Sequence, residues 1–91
     1  MPVVGKKGGF VWGDLVYTTD SDPGSAAVHA GLLDPGEAGV VEFLVIPSPQ
    51  FFNGVERNGV QSRKWGKYKS AFIMRLVNPL QNLMLYTDAT D

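Results

Sequence analysis

The stretch from Thr18 to Val41, TTDSDPGSAAVHAGLLDPGEAGVV, contains the one convincing helix of the chain and leads into its clearest strand. Asp22 is a favoured N-cap residue, Pro23 suits the first helical position, and Gly31 can take the left-handed conformation that ends a helix. These signals predict a helix of about eight residues. A helix this short depends on packing for its stability, and its several alanines would let it approach a sheet closely.

Short strands are predicted on both sides of this helix. GFVWG and DLVYTT, at 9–13 and 14–19, are typical of two strands around a Gly13-Asp14 turn. AGVVEFLVIP, at 38–47, places apolar side chains on both faces apart from Glu42, so we expect a central strand that is covered on both faces.

The second half of the chain predicts further strands. SAFIMRLV, at 70–77, alternates as a strand does, and NPLQN followed by LMLYT, at 78–87, predicts a turn and a terminal hairpin. Asn53-Gly54 and Asn58-Gly59 are both dipeptides of the type that forms tight hairpin turns, because Asn and Gly tolerate a positive φ.

Composition limits the chain to one small globular domain. It has 91 residues, of which 44% are hydrophobic and 19% are charged, and no cysteine. No disulfide framework or thiolate metal site is available, no apolar run is long enough to span a bilayer, and no signal peptide is visible. We therefore predict an α+β fold, a single domain over residues 1–91 with antiparallel strands packed around one short central helix, and flexible ends at 1–8 and 87–91.

Charge is segregated along the chain although the net charge is only −1. Six carboxylates and no Lys or Arg lie between Asp14 and Glu42, whereas six basic residues and no carboxylate lie between Arg57 and Arg75. Two oppositely charged patches are expected, and they could drive self-association of two copies. A pI near 5.7 lacks the basic excess that nucleic-acid binding requires.

His29, the one histidine, has several chemical interpretations. Ser25 lies four residues before it on the same helix face, but no GxSxG elbow presents that serine as a nucleophile. One imidazole without thiolates supplies too few zinc ligands, and the loop that begins at Asp20 would have Gly31 where calcium needs a bidentate Glu. We predict no catalytic residue, no metal and no cofactor, and a buried His29 that hydrogen-bonds a backbone carbonyl of a neighbouring strand.

The best candidate site is the basic and aromatic segment RNGVQSRKWGKYKS, at 57–70. Basic side chains favour phosphate, sulfate or carboxylate groups, and aromatic rings stack on sugars or lie at lipid interfaces. The alternative is that the lysines are solvated loop charges and the tryptophan fills the core. The candidate ligand-binding residues are Arg57, Arg63, Lys64, Trp65, Lys67, Tyr68 and Lys69.

Two separated segments resemble the LCCL domain family. VYTTDSDPGSAAVHAGLL, at 16–33, is similar to the family's strand, cap and Ala-Ala-Val-His-Ala-Gly helix, and FFNGVERNGVQSRKWGKYKSAFIM, at 51–74, is similar to its aromatic-Gly turn, its Asn-Gly-Val-x-Ser motif and its closing Ser-x-Phe strand. The resemblance covers roughly Trp12 to Met74. Gly24 stands where the animal domains usually have a cysteine, so the chain resembles a cysteine-free relative.

The resemblance implies a compact α+β module with no known catalytic activity that binds polysaccharide, lipopolysaccharide or protein ligands. It also implies an extracellular or periplasmic location, for which the residues themselves give no evidence. The residues that match the family's motifs and the residues that cap the helix are expected to stabilise the fold. These structural residues are His29, Asp22, Gly31, Asn58, Gly59 and Ser62.

Two functions follow from these observations. The leading one is a non-catalytic module that binds an anionic glycan, lipopolysaccharide or lipid headgroup through the basic and aromatic segment. The alternative is a structural or assembly domain that self-associates or docks to a larger protein.

Overall fold

The computed structural model describes residues 1–79. Within this range the chain forms one helix and nine strands, in the order β1 (Pro2–Val4), β2 (Gly13–Asp14), β3 (Val16–Thr18), α1 (Pro23–His29), β4 (Ala38–Ile46), β5 (Phe51–Phe52), β6 (Glu56–Arg57), β7 (Val60–Gln61), β8 (Trp65–Gly66) and β9 (Ala71–Pro79).

One five-stranded antiparallel sheet organises the domain. Its strand order is β1-β4-β9-β3-β2, and the pairs β5-β8 and β6-β7 form two smaller antiparallel sheets. The longest ladder joins β4 to β9 and runs from Gly39 opposite Pro79 to Ile46 opposite Ala71. The predicted α+β class, with antiparallel strands and one short helix, is confirmed.

Helix α1 begins and ends where the sequence predicts. The Asp22 carboxylate accepts a hydrogen bond from the Ser25 backbone N–H at 2.9 Å, Pro23 is the first helical residue, and Gly31 has φ 78° after the C-cap Ala30. Every helical residue after Pro23 is buried. No helix of residues 1–79 is long and apolar enough to cross a membrane.

The helix lies between two apolar clusters. Ala26 packs in one cluster with Tyr17 and Phe72, and Ala27 packs in the other with Val41. Both alanines are fully buried. Their small side chains therefore let a single short helix complete two parts of the core at once, which is why the alanine-rich sequence suits a central helix.

Strand β4 lies between two neighbours, as predicted, but the expectation that both of its faces are covered is wrong. Leu44 and Val45 are 57% and 64% exposed. Among residues 1–79, Val41 and Phe43 pack in the two apolar clusters, whereas Leu44 and Val45 belong to neither. An unbroken apolar run predicts a buried strand, but here the small domain has too few elements to cover its far end.

The N-terminal end differs from the flexible segment predicted for residues 1–8. Val3 is 7% exposed and packs with Ala27 and Leu33, while the Gly5 N–H donates to the Glu37 carbonyl at 2.9 Å. The apolar segment Pro2–Val4 is too short to be predicted as a strand, because Gly5 and two lysines follow it directly. It becomes a strand because it pairs with the distant β4.

Two predicted turns also differ. Gly13 and Asp14 form strand β2, and the reversal falls on Leu15, whose φ is 68°. The other turn, expected to start at Asn78 and Pro79, lies within β9, where Asn78 pairs with Val40. Residues 80–82 of NPLQN, the segment LMLYT and the end at 87–91 lie outside the described residues.

Of the two Asn-Gly dipeptides, one forms a hairpin. Asn58 and Gly59, with φ 54° and 81°, connect β6 to β7. Asn53-Gly54 does not, because β5 pairs with the distant β8 instead of with a neighbouring strand. A Cβ on Gly54 would lie 2.8 Å from the Lys64 backbone nitrogen, so glycine permits a close approach between two chain segments there.

Candidate functional site

His29 is fully buried at the end of α1, and both of its ring nitrogens have partners. Nε2 lies 2.9 Å from the Val55 carbonyl oxygen, and Nδ1 lies 2.9 Å from the Tyr17 hydroxyl. A carbonyl only accepts, so Nε2 carries the proton, and in the neutral imidazole Nδ1 accepts from Tyr17. Val55 lies in the loop before β6, so the carbonyl partner comes from a loop and not from the strand that was expected.

Ser25 and His29 share a helix face but offer no accessible nucleophile. Both side chains are 0% exposed. The Ser25 hydroxyl oxygen accepts a hydrogen bond from the Gly9 N–H at 2.9 Å. A substrate therefore cannot reach either side chain without opening the core.

Hydrogen bonds of Asn58 and Ser62 hold the β6-β7 hairpin and the loop before it against the helix. The Asn58 side-chain amide donates to the His29 backbone carbonyl at 3.1 Å. The Ser62 hydroxyl accepts from the Val55 N–H at 3.0 Å and donates to the Val55 carbonyl at 3.1 Å. Val55 is thus held by both His29 and Ser62, which ties two distant parts of the sequence together.

The segment at 63–69 carries four basic and two aromatic side chains, which we call the basic surface. Within residues 1–79, none of the four lies within ion-pair distance of a carboxylate. All four are exposed, Trp65 is 52% exposed, and Tyr68 is half-buried. The basic surface consists of Arg63, Lys64, Trp65, Lys67, Tyr68 and Lys69.

Two residues of the candidate set have additional partners. The Arg57 guanidinium forms two hydrogen bonds with the Asp14 carboxylate, at 2.6 and 3.0 Å. The Arg63 guanidinium lies over the Phe10 ring, 4.5 Å from its centroid. Arg57 is therefore already neutralised by a carboxylate, whereas Arg63 keeps its full positive charge beside an aromatic ring.

Beside the basic surface is a small open cavity of about 70 Å³. It is lined by Trp12, Thr18, Asp20, Trp65 and Tyr68. Partial desolvation, reinforced by the negative charge of Asp20, raises the pKa of Tyr68. Trp65 and Tyr68 thus belong both to the basic surface and to an aromatic cavity with a carboxylate in its wall.

The site also includes Trp12, Thr18 and Asp20, which were not predicted from the sequence. They are about fifty positions before Trp65 in the chain, and pairing between the segments brings them together: the Arg63 N–H donates to the Val11 carbonyl at 2.8 Å, and Gly13 N–H donates to the Arg63 carbonyl at 3.1 Å. In the sequence, only the aromatic side chain of Trp12 could have indicated a binding site, and aromatic side chains are also common in protein cores.

Acidic and basic residues are separated along the sequence, but the fold brings some of them together as ion pairs. Asp14 meets Arg57 and Glu42 meets Arg75, each with 2.6 Å between the closest atoms. The hydrogen bond from each guanidinium lowers the pKa of the carboxyl group that it contacts. Acidic and basic halves that are far apart in sequence therefore neutralise each other inside one molecule.

The chain is similar to known proteins over most of its length. The model of the LCCL domain matches residues 4–72, which starts before and ends close to the range of the resemblance noted above. Transcriptional regulatory protein rxt3 of Schizosaccharomyces pombe is 30% identical over 70 residues, which are 72% of this chain and 20% of that protein.

Two human proteins are similar as well. Cochlin is 31% identical over 62 residues, which are 68% of this chain and 11% of cochlin. Cysteine-rich secretory protein LCCL domain-containing 2 is 36% identical over 77 residues, which are 85% of this chain and 15% of that protein. The chain spans a fifth or less of the length of these relatives, and the shared part is the domain that the family model describes. The chain therefore belongs to the LCCL domain family.

Proposed function

We propose that this LCCL domain is a non-catalytic module that binds anionic headgroups, meaning phosphate or sulfate groups carried by a polysaccharide, a lipopolysaccharide or a lipid, through its basic surface. The observation that carries the proposal is the presence of four exposed cations without a carboxylate partner among residues 1–79, all within four positions of the half-exposed Trp65 in the chain. Cations of this kind are free to bind oxyanions, and the ring offers a face for a sugar or an acyl boundary.

The distribution of ion pairs supports this choice of residues. The other basic residues with described contacts, Lys6, Arg57 and Arg75, each face a carboxylate within 3.2 Å. Their charge is already compensated locally, so an incoming anion gains less from them. Among residues 1–79, five Lys and Arg side chains have no carboxylate partner; one is Lys7, and the other four lie at 63–69.

The proposal is tested by binding to a sulfated oligosaccharide, to lipopolysaccharide and to anionic phospholipid vesicles at low and at physiological salt. Replacement of Lys67 and Lys69 by Ala is expected to weaken binding about thirtyfold, because each lysine near an anionic surface contributes about 1 kcal/mol and about 1.4 kcal/mol is a factor of ten. The matched control replaces Lys7 and Arg75 by Ala, which removes the same charge elsewhere. Equal losses in the two variants, or no binding to any probe by the wild type, would contradict the proposal.

A second candidate function, docking to another protein, is favoured by the exposed apolar residues of β4. Leu44 and Val45 are both more than half exposed, and among residues 1–79 they belong to neither apolar cluster. Association through such residues would persist at high salt, whereas association through opposite charges would fade. Sedimentation at low and high salt separates these two forms of assembly from each other and from a monomer.

A further inference from the structure

The cavity beside the basic surface differs in chemistry from its surroundings. Three of its five lining side chains are aromatic, and the charged one is Asp20, not a lysine. Trp65 is 52% exposed and Asp20 is exposed, so solvent reaches the cavity. It is therefore an accessible pocket and not a packing defect sealed in the core.

The walls suit a positive charge that needs few hydrogen bonds. Aromatic faces attract cations through their negative quadrupole, and a carboxylate adds direct Coulomb attraction. The Thr18 hydroxyl is already hydrogen-bonded to Ser21 Oγ at 2.9 Å. An anion placed in the cavity would face the Asp20 carboxylate, so the anionic part of any ligand must lie outside it, on the basic surface.

The size of the cavity restricts the ligand further. Because about 10–15 Å³ of such volume holds one water, the cavity accommodates a group of about five heavy atoms. Its volume of about 70 Å³ fits the nitrogen, three methyl groups and adjoining methylene of a quaternary ammonium. A hexose ring with its hydroxyl groups is larger than this, so a sugar would stack at the rim and not enter.

The cavity, which suits a cation, and the lysines of the basic surface, which suit an anion, are neighbours in the chain. Tyr68 lines the cavity, and its chain neighbours Lys67 and Lys69 are exposed. Neighbouring Cα atoms are about 3.8 Å apart, so the lysine side chains can reach an anion bound next to the cavity. A ligand that carries a quaternary ammonium close to a phosphate would satisfy both elements.

We propose that the cavity formed by Trp12, Trp65, Tyr68 and Asp20 binds the quaternary ammonium of a phosphocholine group whose phosphate lies on the basic surface. The placement of the phosphate rests on the proposed function. The placement of the ammonium rests on the cavity alone.

Both tryptophans of the chain line the cavity, so intrinsic fluorescence reports directly on its occupancy. Choline, phosphocholine and inorganic phosphate are titrated separately into the full chain. Choline is expected to change the tryptophan fluorescence, and phosphocholine is expected to do so at lower concentration. Phosphate on the basic surface lies near Trp65 but outside the cavity that both tryptophans line, so it is expected to give a smaller change than choline. Vesicles of phosphatidylcholine, used as a further arm, distinguish a lipid headgroup from the free group.

Two sets of variants locate the two charges. Asp20→Asn and Trp65→Ala, both at exposed positions that leave the core intact, are expected to weaken choline binding about tenfold. Lys67→Ala combined with Lys69→Ala removes two positive charges beside the cavity, so it is expected to leave choline binding as strong or stronger and to remove the advantage of phosphocholine over choline. Circular dichroism of each variant verifies that it is folded.

The outcomes separate this inference from the proposed function. No fluorescence response to choline, or an Asp20→Asn variant that binds choline as well as the wild type does, overturns the cavity assignment even if the basic surface binds sulfated oligosaccharide. Choline binding that depends on Asp20, without any binding of anionic headgroups, overturns the proposed function and keeps the ammonium site. Phosphocholine that binds no more tightly than choline overturns the placement of its phosphate.

Discussion

The Tyr17 hydroxyl lies 2.9 Å from Nδ1 of His29, with both side chains fully buried. This contact joins strand β3 to the end of helix α1, and the Val55 carbonyl on the other side of the imidazole joins the helix to the loop before β6. His29 therefore bridges three segments that are separated in sequence. The arrangement explains a buried histidine through its hydrogen bonds, without a catalytic role.

Removing either member of this pair is expected to lower stability. Tyr17→Phe leaves Nδ1 of His29 buried without a donor, which costs about 1–3 kcal/mol of unfolding free energy. His29→Ala leaves the buried Tyr17 hydroxyl without its acceptor, removes one of the two donors to the Val55 carbonyl and also opens a cavity. Its loss is therefore expected to be larger, about 3 kcal/mol or more. Urea denaturation measures both. An unchanged midpoint for His29→Ala would refute this account of the residue.

Alkaline pH is expected to destabilise the fold through the same tyrosine. Burial raises the pKa of Tyr17 from 10.0 to about 12. The folded state then holds the proton more tightly than the unfolded state, so the stabilisation is complete below pH 10 and is lost as the pH rises towards 12, by up to about 1.4 kcal/mol per pH unit. Tyr17→Phe should flatten this decline and Tyr68→Phe should largely retain it. If the stability of Tyr17→Phe fell with pH as steeply as that of the wild type, other titrating groups would be responsible for the fall.

The N-cap of α1 is expected to contribute measurably to stability. Asp22→Ala removes the acceptor for the Ser25 N–H and should cost about 1 kcal/mol in thermal or chemical unfolding. Asp22→Asn keeps a capping oxygen but removes the negative charge beside Lys6, an exposed pair worth under about 1 kcal/mol. The alanine variant should therefore be the less stable of the two, and the reverse order would contradict the capping role.

Gly24 is expected to tolerate no side chain. A Cβ at this position would lie 2.4 Å from the Val4 carbonyl oxygen, so strand β1 would have to move away from the helix. Gly24→Ala should cost about 1–3 kcal/mol. The control is Gly8→Ala, where a Cβ meets nothing within 4 Å. A Gly24→Ala variant as stable as Gly8→Ala would show that the two elements separate without loss.

Local signals made much of the fold predictable. The cap at Asp22, Pro23 and the left-handed Gly31 place the helix because each acts through its own backbone neighbourhood. Asn58-Gly59 forms its hairpin for the same reason, whereas Asn53-Gly54 follows a strand whose partner is distant. Dipeptide chemistry alone does not specify which strands pair.

Apart from the reversal at Leu15, most features that escaped prediction depend on long-range contacts. Val3 is buried only because β1 reaches β4, and Arg57 is neutralised by Asp14 only because β6 and β2 meet. In the candidate site, the basic and aromatic segment was evident from sequence. The contribution of Asp20 to the cavity was not, because it depends on a distant segment packing against Trp65.

A two-dimensional 1H–15N NMR titration of the full chain with a sulfated oligosaccharide at physiological salt locates the binding surface residue by residue. If the basic surface is the binding site, the largest amide shifts will fall at 63–69, and they will be lost in the variant with Lys67 and Lys69 replaced by Ala but kept in the variant with Lys7 and Arg75 replaced by Ala. Shifts concentrated at Leu44 and Val45 of strand β4, or no shifts at all, would contradict the claim.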